Sequence, residues 1–141
     1  MVTNNLMQAL LSQDRAKALQ MDKKEIVSKK LTRLTDSSEP VKIEIRELTA
    51  REISDVNMFS TDKHGDLLQN KMIDMNLMVC VMGITNPDLN DKALQSHYGA
   101  ANADQLCEIL FGSEAITIAQ EIMEFSTSGL NSDEDVKEIK N

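Results

Sequence analysis

Residues 77–82 read Leu-Met-Val-Cys-Val-Met, and no other stretch constrains the fold as strongly. The segment continues a pattern that starts at Leu67. At about 100° per residue, Leu67, Leu68, Met72, Met75, Met78, Val79 and Met82 share one helix face, while Ile73, Leu77, Cys80 and Val81 take the opposite one. A helix that is apolar all round must be covered by other elements or by a partner. The spacing therefore predicts a helix over 67–84, ended near Gly83, lying in a core or beneath partners. Aromatic residues are 3% of the chain and tryptophan is absent, so that core is built from Leu, Ile, Val, Met and Ala.

A second pattern has period two. Val41, Ile43 and Ile45 alternate with Lys42, Glu44 and Arg46, which is a strand with one packed and one wet face. Its backbone groups need a neighbour. Residues 24–34 are the nearest candidate, although Ile26, Val27, Leu31 and Leu34 would also suit one helix face. The expectation is a two-stranded hairpin within about 25–48, with helices over its apolar side. Thr49 and Glu52 have capping-box spacing and start a helix running to about Phe59. Gly65 marks the turn that follows. Further helices are expected over 3–19, before Gly99 with Asn86 or Asp88 as cap, from Asn102 to Gly112, and from Ser113 past Phe125. The fold class is α+β, mainly α: a compact helical domain of about five helices with a small antiparallel β-hairpin. One domain spans 1–129, its helical part 49–126, and residues 130–141 form a disordered acidic tail.

Charge and motifs narrow the function. With 15 Lys and Arg against 23 Asp and Glu, the net charge of −8 excludes a nucleic-acid surface overall, and the basic run 23–33 reads as a solvated face. No apolar run approaches the roughly 20 residues a membrane span needs. The N-terminus lacks the pattern of a signal peptide, and two distant cysteines favour a reducing cytoplasm over a disulfide framework. His64 and His97 lie apart from each other and from any catalytic or metal-binding motif. A soft-metal site from Met75, Met78, Cys80 and Met82 fails on geometry, because Cys80 points about 160° away from Met82 on one helix. No catalytic, cofactor-binding or metal-ligating residue is assigned, and no cofactor. The methionines read as core packing, with an adaptable partner-binding face as the alternative.

The order of the elements carries one more signal. Asn86-Pro87, Leu89, Leu94, Tyr98-Gly99, Leu106, Leu110-Phe111, Gly112, Glu114, Ile116 and Ile122 follow one another as they do in the XkdN-like phage tail assembly chaperones, which the chain resembles over about residues 5–129. It departs from the usual Pro-Gly-Glu step before the last helix, having Phe111-Gly112-Ser113-Glu114 there. The resemblance implies a non-enzymatic protein of the bacterial cytoplasm. Such a protein coats the helical tape measure protein until tail-tube protein polymerises around it, and is absent from the mature virion. It also implies possible self-association, or association with a frameshifted longer form. Contact with the partner is expected through Met72, Met75, Met78, Met82, Ile116 and Ile122. The rival readings are a tail structural or connector protein retained in the particle, and a small bacterial adaptor.

Overall fold

The structure, a computed structural model, describes residues 2–127. The expected tail over 130–141 lies outside the described residues.

Helix α5 (Met72–Gly83) is the central helix that its composition requires. Leu77, Val79 and Cys80 are buried, and α4 (Ala50–Ser60), α7 (Ala103–Phe111) and α8 (Glu114–Thr127) pack around it. It begins later than its periodicity predicts. Leu67 instead bridges to Thr61, and Gln69–Lys71 form a 3₁₀ turn. At its far end Gly83 lies against Ile122 of α8: a Cβ built on Gly83 would sit 2.6 Å from Ile122 Cδ1 and 2.7 Å from Cγ2. The glycine ends the helix as expected, and it also lets two helices meet.

Strand β2 (Lys42–Arg46) keeps the face predicted for it, with Ile43 and Ile45 buried. Its partner β1 (Lys23–Val27) pairs antiparallel with Ile26 opposite Ile43. The expected hairpin is interrupted, however. Residues 24–34 are neither all strand nor all helix: β1 stops at Val27, and α3 (Lys29–Leu34) fills part of the connection. Ser28 causes the switch, its side chain accepting from the Leu31 amide as an N-cap. A third strand, β3 (Ile84–Asn86), adds antiparallel to the other edge of β2 and gives the order β1-β2-β3. It directly follows α5, and at three residues it has no period to read.

Eight α-helices occur among the described residues, more than the five or so expected. One of the extra helices is α3. Another arises because the predicted helix over 3–19 is two pieces, α1 (Val2–Leu11) and α2 (Arg15–Ala18), divided where the Asp14 carboxylate caps the second. Helix α6 (Lys92–His97) is capped by Asp91, whose side chain accepts from the Leu94 amide, so neither Asn86 nor Asp88 has that role. Asn102 caps α7 as predicted, and Gln105 reaches back to the Ala101 amide.

The capping box at α4 is formed in full and is extended by one ion pair. The Glu52 carboxylate accepts from the Thr49 amide at 2.9 Å and from both Arg46 guanidinium nitrogens at 2.9 and 2.7 Å. The Arg46 hydrogen bonds, supported by the Thr49 amide and opposed by burial, hold the Glu52 carboxyl down at about 2. The unfolded chain therefore takes up this proton at a higher pH than the folded chain does. The stabilisation is fully present above about pH 4.5 and is lost as pH falls towards 2. Denaturant titrations at pH 6 and pH 3 should show a decrease of about 1 kcal/mol from this group, after allowance for solvent screening. In Glu52→Gln that component of the decrease should be missing.

Candidate partner-binding site

Two uncovered apolar surfaces stand out on the described residues. The first is a depression of about 300 Å³ between α5, α7 and α8. Leu77 and Ala115 form its floor, Ile73 and Ile116 its walls, and Glu108 its rim. Ile73 is 66% exposed and Ile116 46% exposed, unusual for isoleucines beside a closed core. The second surface is α1. Leu6, Met7, Leu10 and Leu11 are each more than half exposed, and Gln8 and Ser12 occupy the other side of the helix. Residues 2–13 carry no charge at all in a chain of −8.

The residues singled out from the sequence divide three ways. Ile116 lines the depression. Met72, Met75, Met78 and Met82 are half-buried on the opposite edge of α5, where Met75, Met78 and Met82 pack against the core. Ile122 is fully buried against Gly83, so it is a core residue and offers no surface to a partner in this conformation. Periodicity had placed Ile73 and Leu77 on the second apolar face of α5, and it is this face that opens.

Two of the groups able to do chemistry have neighbours within the fold. The Cys80 thiol donates to the Ala115 carbonyl at 3.3 Å. Its hydrogen bond with Cys107, then its burial, push its pKa up and hold it as an unreactive thiol. The ring of His97 stands edge-on to Tyr98 at 4.9 Å. Among the described residues no three His, Cys, Asp or Glu side chains gather where a metal ion could sit, and no helix is long and apolar enough to cross a membrane.

Glu114 was missed as a structural residue. One of its carboxylate oxygens accepts from the Ser28 hydroxyl at 2.5 Å, and the other from the Lys29 and Lys30 amides at 2.8 and 3.4 Å. The acid that opens α8 thus fastens the start of α3, with Gly112, at φ +56°, turning the chain into position. Lys30 Nζ bonds the Ile109 carbonyl at 3.3 Å and approaches Gly112, closing the joint from the other side. The positions ordered as Leu89, Leu106, Leu110, Phe111 and Ile122 are all core. The series of positions that carried the resemblance is largely a folding pattern, with Ile116 its one exposed large apolar side chain.

The chain matches the family model described as phage XkdN-like tail assembly chaperone protein over residues 7–140, a longer span than the 5–129 over which the resemblance was read. No curated protein and no solved structure matches it. With the matched span taking in α2 to α8, half of α1 and the sheet, this chain belongs to the XkdN-like phage tail assembly chaperone family.

Proposed function

We propose that this chaperone binds the tape measure protein and keeps its long helices soluble, without catalysis, until the tail tube encloses them. It acts in the host cytoplasm and does not remain in the finished particle. One observation carries the reading: an uncharged helix, α1, whose leucine and methionine stripe is left open beside a well-covered core. A ten-residue helix is marginal by itself in water, and such a stripe gains stability when it lies on another helix. The Ile73–Ile116 depression is a second seat for apolar side chains, and the half-buried thioethers of Met72, Met75, Met78 and Met82 are a deformable third contact.

The test is co-expression with the long helical protein encoded downstream, followed by capture and mass measurement of the complex. Many copies of the chain per partner, with the partner soluble only in their presence, are the expected result. Leu10→Asp and Ile116→Asp change exposed side chains and should each weaken capture by about 30-fold, as loss of an interface hot spot does. Circular dichroism should be unaltered in both. No association, with the chain recovered in assembled tails, would move the reading to a tail structural or connector protein.

A further inference from the structure

The basic run 23–33 lies along an open sheet edge. Strand β1 is the outer strand of the order β1-β2-β3, so one side of its backbone faces away from β2. The register identifies the groups on that side. The Glu47 amide donates to the Asp22 carbonyl and the Ser28 amide to the Val41 carbonyl, at the two ends of the β1–β2 pairing. Bonded and non-bonded pairs alternate along an antiparallel ladder, so Lys24 and Ile26 direct their backbone groups at β2. Those of Lys23, Glu25 and Val27 point outwards, and among the described residues nothing bonds their three amides. The next amide, that of Lys29, is taken by the Glu114 carboxylate, so the open edge ends at Val27. The other edge of the sheet offers less, since β3 has three residues and Pro87 follows it.

A depression lies beside each face of this edge. The one next to Ile26, between β1 and α8, is lined by Thr117 and Ile118 and bordered by Glu114 and Glu121, so a neutral apolar side chain suits it. Towards Thr127 it is closed by Lys24, which pairs with Glu121 and lies on the Phe125 ring. The depression next to Val27, which is 50% exposed, runs on to Lys29 and Arg33. Neither cation forms an ion pair with any of the described residues. They are one turn of α3 apart, a rise of about 6 Å. Alternate side chains of a strand, about 6.6 Å apart, match that spacing.

Charge selects the occupant. Residues 23–33 hold five Lys and Arg against one Glu, in a chain of −8. A second copy laid edge to edge would bring two such runs together, which is how edge lysines discourage self-pairing. A strand carrying acids meets the opposite charge, provided that a neutral residue stands across from Glu25. We infer that β1 accepts an extended acidic segment of a partner protein as a fourth strand, antiparallel to β1 as the rest of the sheet is. The outward groups of Glu25 and Val27 supply the main-chain hydrogen bonds. One apolar side chain of the segment enters the β1–α8 depression, and two acids spaced two residues apart meet Lys29 and Arg33.

The inference is independent of tape measure binding and is tested on the purified ¹⁵N-labelled full chain. The probe is a capped peptide, Asp-Thr-Asp-Val-Thr-Thr, and its counterpart has Lys in place of both Asp. Amide exchange with water, read by NMR, should be fast at Glu25 and Val27 in the chain alone. With free peptide at ten times its dissociation constant it should slow about tenfold there, because only the unoccupied fraction exchanges. The first-turn amides of α6, Lys92 and Ala93, should keep their rates. Glu25→Pro removes one outward N–H and leaves the bonds to β2, so it should bind the peptide about fivefold more weakly than Glu25→Ala does. Lys29→Glu should weaken binding about threefold, and so should the lysine peptide. Circular dichroism should be unaltered in every variant. Rates at Glu25 and Val27 unchanged at about 10 mM peptide, where a millimolar contact is nine-tenths occupied, would overturn the proposal. Equal slowing by the lysine peptide would overturn it as well. Amides of Glu25 and Val27 already slow in the chain alone, and slower as its concentration rises, would give the edge to a second copy and overturn it too.

Discussion

Ile122→Ala is expected to lower the unfolding free energy by roughly 2–5 kcal/mol, the range for truncating a buried isoleucine. Ile122 is fully buried where α8 crosses the end of α5, and its side chain occupies the space that a Cβ on Gly83 would need. Gly83→Ala should therefore destabilise as well, by about 1–3 kcal/mol, because Cγ2 is fixed to the branched Cβ and cannot swing clear. The two changes compensate in volume. Combined, they should cost about 1 kcal/mol or more less than their separate effects added together, since the alanine methyl enters the space vacated by Ile122. Urea titration of the four proteins measures the coupling directly. Strict additivity would mean that α5 and α8 do not meet at Gly83.

That crossing could not be read from the chain. The apolar belt 77–82 required α5 to be covered, and Gly83 was legible as a helix end, but neither identifies α8 as the element that covers it. Local signals did better. Thr49 with Glu52 and Asn102 with Gln105 are caps whose partners lie three residues away, and both form as their spacing predicts. Ile43 and Ile45 alternate with polar neighbours, and both are buried. The end of β1 was illegible for the opposite reason. Ser28 is an adequate cap by residue type, but what holds it is Glu114, 86 residues further on. The candidate site divides on the same line. Both faces of α5 are apolar in sequence, so periodicity could not decide whether the methionine edge or the Ile73–Leu77 edge stays open. The positions of α7 and α8 decide it, and that is a tertiary fact.

Glu114→Ala should cost roughly 2–4 kcal/mol, large for a residue that is only half-buried, because hydrogen bonds to a charged group are each worth about 1.5–3 kcal/mol. The Ser28 hydroxyl, fully buried, would keep its bond from the Leu31 amide and lose its acceptor. The Lys29 and Lys30 amides, which begin α3 and have no partner within it, would lose theirs. Glu114→Gln separates charge from connectivity. Its remaining oxygen can serve the two amides and its amide nitrogen can donate to Ser28 Oγ, so the joint stays connected; what is lost is the attraction of a carboxylate for a helix start, about 0.3–1 kcal/mol, and the acceptor for the Ser28 hydroxyl hydrogen. Hydrogen exchange gives the location of the effect. In Glu114→Ala the amides on the two sides of the joint, Ser28–Leu31 at the start of α3 and Gly112–Ile116 at the start of α8, should exchange faster, while those of α6 keep the rates of the parent chain apart from the global change. An alanine variant as stable as the glutamine variant would remove the joint from the account of this fold. The expected order, alanine well below glutamine, would make the acid after Gly112 a fastening between the sheet and the helices, and leave Ile116, two residues on, free to face a partner.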